Sequence, residues 1–130
     1  MADHALHVLI AEDDTATAKL YAAYAKSRGF QVLIARDGIE ALSVAEAELP
    51  DVIMLDVSLP KLDGRDVCKQ LKSNPRTKDI PVLVVSASGG DQFLRGELVD
   101  LGVGDVVEKP IDLVITFRKL ERLVERTAPS

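Results

Sequence analysis

Five positions join a chemistry-bearing side chain to a recurring placement: Glu12 and Asp13, Asp56, Ser86 and Lys109 each stand at the end of a short apolar run. The runs Val8-Leu9-Ile10-Ala11, Val52-Ile53-Met54-Leu55 and Val82-Leu83-Val84-Val85 are too short for helices and rich in branched side chains. Such runs are strands buried on both faces, and in an open parallel sheet ligands bind outside the carboxyl ends of the strands. Three carboxylates meeting at that edge repel one another unless a cation lies among them, so the grouping asks for a divalent metal. All-oxygen donors select magnesium, or manganese, over zinc, and magnesium keeps coordination positions open for a phosphoryl oxygen. Lys109 supplies a fixed positive charge and Ser86 a hydroxyl donor, which together suit an oxygen-rich anion. A carboxylate is ionised at neutral pH and attacks phosphorus without a neighbouring base, which makes Asp56 the candidate nucleophile.

Each residue taken singly has an ordinary structural use. An aspartate after a strand caps a helix or makes a turn, a lysine is a surface charge, and a serine is a turn hydroxyl. Asp14 reads as a cap of the following helix, and Cys68 as core packing. The sequence has no Ser-His-Asp set, Gly-rich phosphate loop or paired cysteine, and both histidines, His4 and His7, lie near the start. The grouping at one sheet edge therefore carries the reading.

The elements that position these residues follow from periodicity. Besides the three runs, residues 31–35 and 106–108 read as strands. Helices fit residues 16–28, with Ala16, Leu20, Ala23 and Ser27 on a small-residue inner face and Tyr21 and Tyr24 at its rim. They also fit the stretch with Ile39, Leu42 and Ala45, residues 65–73 with Val67, Cys68 and Leu71 inward, the stretch with Leu94, Leu98 and Leu101, and the last one with Leu113, Phe117, Leu120 and Val124. Residues 76–79 read as a polar surface link, and Ala87-Ser88-Gly89-Gly90-Asp91 as a mobile loop. Five strands alternating with five helices predict an α/β, doubly wound parallel sheet with helices on both faces.

The 130 residues are expected to form one domain, ordered from about residue 6 to 126, with no output segment after the last helix. A net charge of −5 excludes nucleic-acid binding through a basic face. No apolar stretch approaches the roughly 18 residues of a membrane span, and with no leader the cytoplasm is the expected location.

Glu12-Asp13, Asp56 with Leu59-Pro60 and Asp63-Gly64, Ser86-Ala87 and Lys109-Pro110 resemble, in order and spacing, the motif set of bacterial response-regulator receiver domains, over nearly the whole chain. The resemblance implies a flavodoxin-like fold with strand order 2-1-3-4-5. It implies that Asp56 accepts phosphate from a phosphohistidine on a sensor histidine kinase or histidine phosphotransfer protein, and that the chain then signals to a downstream protein target. Asp13 and Asp56 would bind magnesium directly, Glu12 through water, and the Ser58 backbone carbonyl would complete the protein ligands. Lys109 would contact the phosphoryl group, Ser86 would swing toward it, and the Lys109-Pro110 bond would be cis. Such a domain catalyses only its own phosphorylation and dephosphorylation and is otherwise not an enzyme.

The chain departs from the family pattern at Val106 and Ile111, where aromatics are common, which puts an aromatic switch in doubt and leaves reordering of Ser88-Gly89-Gly90 as a substitute. Two other readings follow. A receiver-shaped scaffold would work by contacts without phosphorylation. An aspartyl-phosphate phosphatase would need a second Asp two residues after Asp56, where Ser58 stands.

Overall fold

The structure is a computed structural model that describes residues 5–87 and 91–127, with side chains described to residue 125. Ser88-Gly89-Gly90 and residues 128–130 lie outside the described residues, so the expectations for that loop and for the chain end are not addressed. The elements run β1 (His7–Ala11), α1 (Thr15–Ser27), β2 (Gln31–Ala35), α2 (Gly38–Glu48), β3 (Val52–Asp56), α3 (Gly64–Ser73), β4 (Val82–Ser86), α4 (Gln92–Asp100), β5 (Asp105–Glu108) and α5 (Leu113–Thr127). The five strands are all parallel, in the order β2-β1-β3-β4-β5 expected for the flavodoxin-like arrangement.

Because neighbouring residues of a strand face opposite ways, a strand covered on both sides must be apolar throughout. Val8 and Ile10 join Tyr21, Ala25, Phe117 and Leu120 in one core layer, under α1 and α5. Leu9 and Ala11 join Ala41, Ala45, Val67, Cys68, Leu71 and Leu98 in the other, under α2, α3 and α4. In the first layer the Phe117 ring takes Tyr24 edge-on at 5.1 Å and Phe30 at 6.2 Å. No helix among the described residues is long and apolar enough to cross a membrane.

Each helix begins at an aspartate whose carboxylate accepts backbone amides that would otherwise lack partners. Asp14 takes the Thr17 amide and Asp37 the Glu40 amide. Asp63 takes those of Arg65 and Asp66, Asp91 those of Phe93 and Leu94, and Asp112 that of Ile115. The capping role expected for Asp14 is thus observed.

Some expectations are corrected. The inner face of α1 is Ala18, Tyr21 and Ala25, whereas Leu20 is 55% exposed and Ala16, Ala23 and Ser27 face water. A helix rich in alanine offers several nearly equivalent small-residue faces, and burial of the Tyr21 ring selects this one. On α2 Ala41 and Ala45 are buried and Leu42 packs against the core, so of the expected face only Ile39 differs, being exposed. The link at residues 76–79 is not wholly superficial: Thr77 is buried and its hydroxyl donates to the Leu71 carbonyl at 2.7 Å. Cys68, by contrast, is core packing as expected.

Gly64 starts α3 against the end of β3, where a Cβ would lie 2.5 Å from Val57 Cα and 3.1 Å from the Asp56 carbonyl. Gly64→Ala is expected to lower unfolding free energy by about 1–3 kcal/mol, measured by urea denaturation. Burial pushes the Cys68 thiol pKa up to about 12. At pH 8 the folded protein should therefore resist iodoacetamide, and the urea-unfolded chain should be alkylated readily.

Candidate functional site

The order β2-β1-β3 means the chain winds outward in opposite directions from the β1–β3 boundary, leaving a crevice at the carboxyl ends of those two strands. Ala11 pairs with Leu55 across that boundary, so Glu12 and Asp13 leave β1 beside Asp56, the last residue of β3. Carboxylate oxygens of Glu12, Asp13 and Asp56 lie within 4.8 Å of one another. Glu12 and Asp56 are 3% and 4% exposed, while Asp13 faces water. Two buried acids and one exposed acid thus share one pocket.

Lys109 follows β5 and reaches into this group. Its Nζ lies 2.7 Å from Asp56 Oδ2 and 3.7 Å from Glu12 Oε1. Its backbone amide donates to the Ser86 carbonyl at 2.9 Å, which fixes the start of the loop that carries it. The Lys109-Pro110 bond is cis. The other Asp56 oxygen, Oδ1, accepts from the Ser58 amide at 2.9 Å, and Glu12 Oε2 accepts from the Asp14 amide at 3.0 Å.

Burial raises the pKa of Glu12 and the charge of Asp56 adds to this, against the Asp14 amide and Lys109. Burial opposes the charge on Lys109, but its hydrogen bond and attraction to Asp56, with help from Glu12, leave its pKa raised. Three carboxylates against one ammonium leave the pocket short of positive charge. Glu12 Oε1 is buried without a hydrogen-bond partner among the described residues. A hard divalent cation fits both observations, since it would supply the missing charge and a partner for that oxygen.

Ser86 ends β4, is 1% exposed, and pairs in register with Glu108 just before Lys109. With Ser58, Asp63, Arg65 and Glu97 it lines a cavity of about 400 Å³ between the β3–α3 loop and α4. Within that loop Lys61 takes a positive φ of 69°, and its ammonium sits 3.4 Å from Asp37 at the start of α2. Val106 is buried in the core layer under α4.

Sequence reasoning missed one neighbour of the site. Tyr21 is buried, its pKa is raised by that burial with Glu12 adding, and it shares a cavity wall with Lys109 and Pro110. Rotating the α1 face by one position would have brought it in.

A family model described as the response regulator receiver domain matches residues 8–121. The response regulator PleD of Caulobacter vibrioides is 37% identical over 119 residues, covering 89% of this chain and 25% of the relative. The DNA-binding dual master transcriptional regulator RpaA of Synechocystis sp. is 39% identical over 121 residues, covering 92% and 49%. The chain therefore spans half or less of the length of these two relatives. The crystal structure of the receiver domain of a sensor histidine kinase from Pseudomonas aeruginosa, with a magnesium ion coordinated in its active site cleft, superposes with a TM-score of 0.84 at 26% identity. That match covers 94% of this chain and 99% of the other. Motif order, strand order and these matches agree, and the chain belongs to the response regulator receiver domains of two-component systems.

Proposed function

We propose that this receiver accepts a phosphoryl group on Asp56 from a phosphohistidine donor in a magnesium-dependent reaction. The observation that carries the reading is the Lys109 ammonium 2.7 Å from Asp56, with the carboxylates of Glu12 and Asp13 gathered at the same carboxylate. Asp13 and Asp56 would hold the metal directly, Glu12 through water, and the Ser58 carbonyl would complete the set. Bound there, magnesium neutralises charge on the phosphoryl oxygens.

An Asp56 carboxylate oxygen attacks phosphorus, the bond from phosphorus to the donor histidine nitrogen breaks, and that nitrogen takes up a proton. The product is a mixed anhydride on Asp56. Lys109 moves its hydrogen bond from Asp56 Oδ2 to a phosphoryl oxygen, and the Ser86 hydroxyl donates to another. The Ser58 amide keeps the carboxylate oriented during attack. The added charge then biases the arrangement of α4, β5 and α5, the face a downstream protein would read.

In this reading the chain transforms no substrate beyond its own carboxylate. Its donor is a sensor histidine kinase or phosphotransfer protein in the cytoplasm, and nucleic acid is not a direct partner of this domain. The magnesium-bound structural relative supports the metal, and the names of the curated relatives support the two-component setting.

Incubation with acetyl phosphate and magnesium is expected to give one phosphate adduct by intact mass, absent in Asp56→Asn and after EDTA. Absence of an adduct in the wild type would favour the scaffold that works by contacts, and sustained turnover of a generic phosphate ester would favour the phosphatase. Magnesium without any phosphodonor should raise the thermal midpoint by several degrees at concentrations well above Kd. Asp13→Asn should lose most of that rise, yet be no less stable than the wild type in EDTA, because it removes one of the mutually repelling charges.

A further inference from the structure

The sheet ends on one side at β2, which pairs with β1 and with no other strand among the described residues. In a parallel strand the N–H and C=O of one residue point to the same side, and those of the next residue to the other. The Gln31 amide donates to the Leu6 carbonyl and the Ala35 carbonyl accepts from the Glu12 amide, so Gln31, Leu33 and Ala35 are turned toward β1. The amides and carbonyls of Val32 and Ile34 therefore line the open edge, where another extended chain can pair.

Helix α1 flanks that edge. It runs antiparallel to β2, with Thr15 Oγ1 accepting from Arg36 Nη1 at 3.0 Å at one end and the Ala25 carbonyl accepting from the Phe30 amide at the other. Between helix and strand lies a cavity of about 410 Å³, walled by Ala18, Ala22 and Ile34 and bordered by Lys19 and Arg36. Lys19 and Arg36 are exposed, and neither makes an ion pair among the described residues. The charged residues of α1 are Lys19 and Lys26, with no acid, in a chain of net charge −5. This flank is not the one that faces the acidic pocket, where Thr17, Leu20 and Tyr21 share a cavity with Lys109.

We propose that the open edge of β2 and the cavity between α1 and β2 form a docking site for an extended, acidic segment of a partner protein. Val32 and Ile34 exchange backbone hydrogen bonds with the segment, and one of its aliphatic side chains enters the cavity against Ala18, Ala22 and Ile34. Residues two positions to either side share the face of that side chain, so carboxylates there meet Lys19 and Arg36 at one end and Lys26 toward the other. Charge selects this occupant over a second copy of the chain. Two copies paired antiparallel at β2 about a two-fold axis would lay α1 beside α1 and set Lys19 and Lys26 against their equivalents. None of these residues belongs to the acidic pocket, so the site is independent of phosphoryl transfer.

The probe is a capped pentapeptide, glutamate-threonine-valine-threonine-glutamate, whose palindromic sequence offers the same face in either strand direction. Titrated into the full, isotope-labelled chain in the millimolar range, it is expected to shift the amide resonances of Lys19, Val32, Ile34 and Arg36 and to slow hydrogen exchange at Val32 and Ile34. The counterpart with lysines in place of the glutamates, and the acidic peptide with every amide nitrogen methylated, should leave those resonances in place. Lys19→Glu combined with Arg36→Gln should weaken binding of the acidic peptide about tenfold, with the urea midpoint unchanged. The proposal is overturned if the acidic peptide leaves Val32 and Ile34 unshifted, if the lysine or the methylated peptide binds as well, or if the double variant binds like the wild type. It is equally overturned, in favour of a contact between copies, if the Val32 and Ile34 resonances of the chain alone move on dilution while sedimentation shows a dimer.

Discussion

Two carboxylates with almost no contact with water cannot stand side by side without a counter-charge, and in this chain Lys109 supplies it. The arrangement depends on three separate strand exits arriving together. Glu12 leaves β1, Asp56 ends β3, and Lys109 follows β5, its own backbone amide tied to the end of β4 through the Ser86 carbonyl. A one-residue slip of any of these strands would turn its polar end residue to the opposite face of the sheet. The aliphatic runs therefore do more than fill the core, since their lengths set where the polar side chains emerge. The ammonium offsets only part of the negative charge, and the Glu12 oxygen left without a donor is the local sign of that imbalance.

Eight of the acids divide between two tasks. Asp14, Asp37, Asp63, Asp91 and Asp112 spend their oxygens on the first amides of the five helices, where the helix dipole favours negative charge. Glu12, Asp13 and Asp56 converge instead on one another. Sequence alone cannot separate Asp13 from its neighbour Asp14 by residue type, yet one faces the cluster and the other caps α1. The distinction arises because the helix begins one residue after Asp14, at Thr15.

The strands were legible because a strand buried on both faces must be apolar without interruption, and β1, β3 and β4 are. The convergence of Glu12, Asp13, Asp56 and Lys109 was legible for the same reason, as breaks in those runs mark the sheet edge. The inner face of α1 was not, because alanines at many positions leave helical phase undecided until a large ring is placed. The Arg65–Glu97 and Arg95–Val106 contacts were also beyond reach. Long, partly exposed side chains have many rotamers, and their partners depend on how helices from distant parts of the chain settle against one another.

The two core layers differ in composition. Tyr21, Tyr24, Phe30 and Phe117 all pack under α1 and α5, whereas the layer under α2, α3 and α4 contains no ring among the described residues, and Phe93 projects into water. With no tryptophan in the chain and both tyrosines on α1, its tyrosine absorption and fluorescence come from that one side of the sheet. Tyrosine emission thus watches the pocket from the Tyr21 side, while no tyrosine lies beneath the opposite helices to report on their rearrangement. An observer following tyrosine emission alone would see half of this protein.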